Sequence, residues 1–522
     1  MRFLPQMVTD IPQRMNAIVQ MRGINYSDNN TDGSLSDSLN ISSRRFPFFT
    51  TKRPREKLDN YEGATAMTSW NGLVVVQNGR LIYRGTDVGA VTPGEKQFAM
   101  IHDKLVIWPD KKYLETNSGQ LLNLGASASG SRATFTEKTI TVTWNVDFTN
   151  LFKVNDAVEI SGCTTKAENN KTVKITAVEA KKLTFTDNSL TAATEASTSI
   201  KIERKIPDMD FICESGARLW GCSNAAETIY VSSLDDPTNF YDFSGTADDS
   251  FQTEVSSEGD FTGCCRLGSS VLFFKQNMIH KILGAYPEEY MMYDYVMEGV
   301  KAGCHKSIAA INETLFYMGV HGVYNYSGGT STFMSIALGN HGYDNAVAGT
   351  DGDNYYLSCE HNGETYFFTY SIKSGIWVRE DDTRVIDFAR IGGDEYLLSN
   401  DGYIYKEDCG EESGTIPWSM TFNPFHEAIS GDYSSNSVVF QTKRYSKLTL
   451  RTELPLGSWL KVEVKEDDGP WKEVQTVAGQ ANGLSRIVVP IGRCDKCQLR
   501  LSGTGQFTLL NMLKEFRLGS DR

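Results

Sequence analysis

The chain has 522 residues, 51 Lys and Arg against 65 Asp and Glu, a formal net charge of −14, and 40 % hydrophobic residues. That length allows about three domains and a sizeable core, and the acidic balance argues against a general nucleic-acid coat, which needs excess Lys and Arg to neutralise phosphates, though not against a surface past which a polyanion slides. Aromatics at 11 %, 45 Gly and 14 Pro point to many short strands and turns, and with no run of about 18 apolar residues and no signal-peptide core the expectation is a soluble chain made in the cytosol.

Residues 1–60 show little periodicity, and the stretch from Asn25 to Ser43 is rich in Ser, Asn, Asp and Gly, which reads as an extended docking arm that needs a partner surface. Within it, RRFPFFTTKRPREK carries Arg44, Arg45, Lys52, Arg53, Arg55 and Lys57 among Phe46, Phe48 and Phe49. Such a segment can stack bases and grip phosphate. It can equally dock on a neighbouring subunit or on the following domain.

From Trp70 a hairpin signal begins to repeat. WNGLVVVQNGRLIYRG has two apolar runs split by an Asn78-Gly79 pair, a strong type I′ turn signal. The pattern recurs in HDKLVIWPDKKYLETNSG, ARLWGCSNAAETIYVSS, SSVLFFKQNMIHKILG, NETLFYMGVHGVYNYSGG, DNYYLSCEHNGETYFFTYSIKSGIWVRED and DEYLLSNDGYIYKED. The last five begin near 218, 271, 314, 355 and 396, spaced by 53, 43, 41 and 41 residues. That period in β-rich sequence means propeller blades of about four strands.

The gap of 113 residues before the third unit is too long for one blade. Residues 133–204 account for it: ATFTEKTITVTWN, DAVEISGC, KTVKITAVEAKKLTFTD and STSIKIERK alternate with strand period and carry Lys and Thr on the polar face, as in a small β-barrel or sandwich inserted in a loop. Beyond Gly410 the grammar changes, and 436–518 reads as short alternating strands of a separate sandwich with a hairpin tip at Asp467-Asp468-Gly469. The expected class is therefore all-β: a propeller of six or seven blades with an inserted small β domain and a C-terminal β-sandwich. The expected segments are 1–60 for the arm, 61–132 and 205–412 for the two parts of the propeller, 133–204 for the insert and 413–522 for the sandwich. Deleting 1–57, or excising 133–204, is expected to leave a folded propeller.

Residue by residue, no motif argues for catalysis, and neither a cofactor nor a metal is expected. Most of the ten cysteines lie in apolar runs (Cys213, Cys222, Cys359), where they act as small hydrophobes. Cys494-x-x-Cys497 lacks a second ligand pair, and on one strand its side chains would point to opposite faces. The acidic pairs Asp235-Asp236 and Asp248-Asp249 and the run Glu380-Asp381-Asp382 read as solvated loops. Seven histidines, His102, His280, His305, His321, His341, His361 and His426, show no spacing to a Ser or Cys that would mark a triad.

The phrases PDMDFICESGARLWGCS, IYVSSLDDPTNFYDF, GDFTGCC, VLFFKQNMIHKILG, GVYNYSGG, DNAVAG, YYLS and WVRED resemble a family of bacteriophage tail proteins, the stabilisation or tail-nozzle β-propeller proteins of short-tailed phages. SDSLNISSRRFPFFTTKRPRE is similar to that family's opening segment, and IVVPIGRCDKCQLRLSGTGQFTLLNMLKEFRLGS to its C-terminal sandwich. The resemblance implies a virion structural protein, not an enzyme, sitting below the portal and adaptor in a ring of commonly six copies. Such a ring continues the DNA channel and retains packaged genome until ejection, with adaptor or connector proteins and tail fibres or spikes as partners and DNA passing without sequence-specific contact. An acidic lumen would let DNA slide. The alternatives from other classes are a receptor- or glycan-binding propeller at the tail tip, a glycosidase, which would need paired acids facing a pocket, and a cellular scaffold.

Overall fold

The structure is a computed structural model that describes residues 14–27, 31–186, 190–196, 199–339, 341–407, 416–425, 443–494 and 496–518. His426, Cys409, the first thirteen residues of the expected arm and the start of the expected strand at 436 lie outside the described residues. Two compact units divide the chain, one of Tyr61–Val320 with Tyr326–Ser331, the other of Met1–Asn60, His321–Asn325 and Thr332–Arg522.

Among the described residues seven four-stranded sheets follow one another along the chain, the strand topology of a β-propeller. The first four lie in the first unit and begin at Ala64, Gln97, Phe211 and Phe261; the fifth begins at Ala309, and the sixth and seventh at Asp344 and Val385. Every hairpin read from the sequence is the second and third strand of one sheet. In the first, Leu73–Gln77 and Arg80–Tyr83 pair across Asn78 and Gly79, both at positive φ, as a type I′ turn requires.

The second strands are continuous apolar runs because both their faces are covered. Val74, Val75 and Val76 are buried together, and so is all of Arg218–Ser223 and of Ser270–Lys275. Shared cores bind neighbouring sheets: Val76 and Leu81 of the first with Leu105 and Ile107 of the second, Val106 and Trp108 of the second with Leu219 of the third, and Trp220 of the third with Phe273 of the fourth. In the other unit, Phe367 of the sixth sheet shares a core with Leu397 of the seventh.

The insert begins earlier than its alternation indicates. Ala126–Gly130 pairs along its whole length with Ile200–Arg204, so the eight-stranded domain opens at Ala126 rather than at 133. ASASG hides this strand, because only Ala128 among its five residues is buried. The insert has its own core, including Phe135, Ile140, Phe148, Ile160, Phe185 and Ile202.

The expectation of a separate arm over 1–60 is corrected. Ser34–Leu39 pairs antiparallel with Pro417–Phe422, Phe49–Thr51 pairs with the strand Thr508–Leu518, and Glu56–Asn60 completes the seventh blade against Tyr403–Lys406. The sandwich is thus built from N-terminal and C-terminal segments, among the described residues in one sheet of six strands and one of seven. Polar composition concealed the strands because their hydroxyls serve backbone groups. Ser38 is buried and donates to the Arg379 carbonyl at 2.7 Å, and Thr50 donates to that of Phe507 at 3.1 Å. The hairpin tip at Asp467 stands as read, between Trp459–Glu466 and Lys472–Ala478.

Candidate functional sites

The structure splits the basic segment. Arg44 and Arg53 are exposed, Arg45 pairs with Glu453 and donates to Thr508 Oγ1 at 3.0 Å, and the Lys57 ammonium lies 3.3 Å from the Tyr403 ring centroid. Lys52 and Arg55 turn inward. Lys52 Nζ contacts Glu380 and lies 2.6 Å from Glu407 Oε2, while Arg55 reaches Asp381 Oδ2 at 2.7 Å, also pairs with Glu407, and stacks 4.4 Å over the Phe367 ring. These two cations are therefore withheld from any polyanion, and the six do not form one charged face.

Three carboxylates meet two cations in this cluster. Burial pushes the Glu380 carboxyl up, with the Glu407 charge adding to it and Lys52 opposing. Burial also acts against ionisation of Glu407 and Asp381, but the Arg55 and Lys52 charges outweigh it and hold both below the usual carboxylate range. Glu380-Asp381-Asp382 is accordingly not a solvated run. Nor are the other two acidic pairs wholly solvated: Asp236 accepts from Thr238 and pairs with Lys153 of the insert at 2.8 Å, and buried Asp249 accepts from Thr246 Oγ1 at 2.6 Å.

In the same unit, a groove combines a polar cavity of about 470 Å³ with a more apolar one of about 500 Å³. Both share Tyr26, Ser27 and His341. Asp37, Tyr366, Arg379 and Asn423 line the polar end; Tyr324, Phe333 and Ile336 line the other. Arg379 donates to Asp37 at 2.9 Å and sits 5.2 Å over the Tyr366 ring, and the His341 and His361 rings lie 4.9 Å apart. Burial and the Asp37 charge push the Tyr26 hydroxyl well above its ordinary pKa, so it is a neutral donor at physiological pH.

The first unit brings together residues that sequence spacing kept apart. Ser257, on the loop before the fourth blade, places Oγ 2.9 Å from His280 Nε2, and His280 Nδ1 lies 2.6 Å from Asp294 Oδ1. His280 is fully buried on Met278–Leu283, directly opposite Asp294 on Met291–Val296. Reading MMYDYV as the blade's fourth strand would have set Asp294 against His280. Nothing in the sequence signals Ser257, which the return of a loop delivers.

The two cysteines of Cys494-x-x-Cys497 lie on separate strands, Arg493–Cys494 and Cys497–Thr504, in the two different sheets of the sandwich, so the single-strand expectation is corrected. A hydrogen bond with Cys494 that keeps its proton in place, together with burial, holds the Cys497 thiol well above its ordinary pKa, the reverse of a reactive thiolate. Among the described residues no group of three or more His, Cys, Asp or Glu is arranged to hold a metal ion, and no helix is long and apolar enough to cross a membrane.

No protein-family model and no curated protein matches the chain. Among solved structures it is similar to an exo-β-1,3-galactanase from Phanerochaete chrysosporium, at 10 % identity over 58 % of this chain and 94 % of that one with a TM-score of 0.23. It is also similar to Kluyveromyces lactis Hsv2, at 11 % identity over 60 % and 73 % with a TM-score of 0.31, and to the N-terminal domain of Nup159, at 10 % identity over 53 % and 96 % with a TM-score of 0.24. At these scores none of the three carries an argument about this chain, and the class, an all-β propeller with an inserted β domain and a C-terminal sandwich, rests on its own strand pairing.

Proposed function

We propose that this chain is a virion structural protein, the ring-forming nozzle or hub of a short phage tail, which continues the DNA channel below the portal and adaptor and retains packaged DNA until ejection. The observation that carries the reading is an apolar edge on the sandwich. Among the described residues strand Leu484–Val489 ends its sheet, and on its outer face Leu484 and Val488, 57 % and 46 % exposed, flank exposed Arg486, with Leu456 at 76 % on the loop bridged to Gln480. An open strand edge carrying apolar side chains is a pairing hazard unless a partner covers it, and a neighbouring copy in a ring is such a partner. Native mass spectrometry of the full chain should show a closed ring, commonly of six copies, that Leu484→Glu with Val488→Glu breaks into folded monomers, and purified particles should hold the chain at fixed stoichiometry. A monomeric wild type that is also absent from particles would refute the reading.

The groove favours a second reading, recognition of a neutral saccharide. Its apolar end offers ring faces, and its polar end offers the Arg379–Asp37 pair and Asn423 to hydroxyls. Saturation-transfer NMR with a panel of neutral trisaccharides tests it, and signals unchanged by Tyr324→Ala would remove it.

A further inference from the structure

We propose that Ser257, His280 and Asp294 form a serine-hydrolase site that cleaves short-chain carboxylic esters. The three roles of acyl transfer are present in hydrogen-bonded order: a hydroxyl nucleophile, an imidazole base 2.9 Å away, and a carboxylate 2.6 Å from the far ring nitrogen. Complete burial of His280 and its place opposite Asp294 in the strand register fix the ring from both sides. With Nδ1–H donated to Asp294, Nε2 is left to accept the Ser257 proton.

The loop is pinned for this task. Buried Lys275 donates to the Ser257 carbonyl at 2.6 Å while lying 4.9 Å from the Phe261 ring centroid, and Phe261 N–H donates to Asn224 at 2.7 Å. Ser257 is half-buried and Glu258, Gly259 and Asp260 are exposed, so the nucleophile sits at a surface that a substrate reaches. The backbone N–H groups of Glu258 and Gly259 have no protein partner among the described residues and are the donors available to an oxyanion.

The acyl class follows from the surroundings. Val296, 83 % exposed, pairs in register with Met278 two residues from His280, and Phe261 meets the His280 ring edge-on at 6.2 Å. Phe261 is buried behind the imidazole and of the two Val296 alone offers an exposed apolar surface, which suits an acetyl-sized group with the alcohol part projecting into solvent. Ser257 Oγ attacks the ester carbonyl as its proton passes to His280 Nε2. The carbon–oxygen bond to the alcohol breaks, and the alcohol leaves with that proton. Water then attacks the acyl-serine, gives a proton to Nε2 and releases the carboxylic acid, and the proton returns to Ser257 Oγ.

The test uses the full chain with a biotinylated fluorophosphonate and with p-nitrophenyl acetate. Tandem mass spectrometry should place the phosphonyl adduct on Ser257. Ser257→Ala and His280→Gln should abolish labelling and hydrolysis, and Asp294→Asn should slow both at least tenfold with unchanged circular dichroism, while Ser244→Ala should leave both rates as in wild type. Should His280→Gln unfold the blade, Asp294→Asn and Ser257→Ala, both at more accessible positions, still decide the matter. No adduct on the wild type, an adduct at another serine, or equal rates in Ser257→Ala would overturn the proposal and leave the three residues as a hydrogen-bonded clasp on the loop.

Discussion

Lys52 Nζ lies 2.6 Å from Glu407 Oε2, with 5 % and 2 % of the two side chains exposed. The N-terminal segment is thereby locked to the seventh blade from inside, and its basic character serves stability. Truncating one member of a buried ion cluster strands the others' charges. Lys52→Met should cost about 3–5 kcal/mol in chemical denaturation, and Lys52→Met with Glu380→Gln should recover part of that loss. A single-variant loss below about 1 kcal/mol would mean that water reaches the cluster.

Glu395 gives the same unit a pH dependence. Burial pushes its carboxyl from 4.5 up to about 8, opposed by the Thr350 N–H and the Arg390 charge. The folded-state value is the raised one, so its contribution is fully present below pH 4.5 and is lost as pH rises through about 8. At 1.36 kcal/mol per unit that is about 5 kcal/mol across the window. Glu395→Gln should flatten the fall in Tm between about pH 4.5 and 8, and an unchanged slope would assign the titration elsewhere.

The insert boundary can be tested by excision. Lys153–Asp236 at 2.8 Å, Lys174–Asp242 at 2.7 Å and Asn239 donating to the Asn155 carbonyl at 2.9 Å tie it to the loop after the third blade's third strand. These contacts are polar, and the insert keeps a hydrophobic core of its own. Replacing 126–204 with a short Gly-Ser bridge should preserve β circular dichroism and solubility. Excising 133–204 leaves Ala126–Gly130 without its partner strand and should aggregate. Equal behaviour of the two would refute the boundary at Ala126.

Deletion of residues 1–57 separates the two views of the arm. A free arm would leave the remainder folded. With Ser34–Leu39 and Phe49–Thr51 as sandwich strands and Lys52 and Arg55 in the buried cluster, the deletion should instead yield insoluble or partly unfolded chain. A soluble product with unchanged thermal unfolding would restore the arm.

Arg218 offers a point test in the third blade. Its guanidinium is buried and donates to the carbonyls of Ser232, Asp249 and Ala247. Arg218→Ala leaves those acceptors unmet and should lower stability by about 3 kcal/mol. A change within about 0.5 kcal/mol would mean that water replaces all three bonds.

Local pattern was sufficient for the blades, the insert's existence and the sandwich. Each second strand is covered on both faces and each turn needs its own chemistry, so Leu73–Tyr83 or Ser270–Leu283 announces itself within about fifteen residues. Tertiary structure alone decided where Ser34–Leu39 and Ala126–Gly130 belong, because a strand whose partner lies hundreds of residues away, or whose side chains are small and polar, is ordered by backbone pairing that leaves no periodic mark. It also decided the sites. Lys52 and Glu407 are 355 residues apart, and Ser257, His280 and Asp294 come from a loop and two strands; their chemistry depends on ångström-scale approach, which sequence separation does not encode.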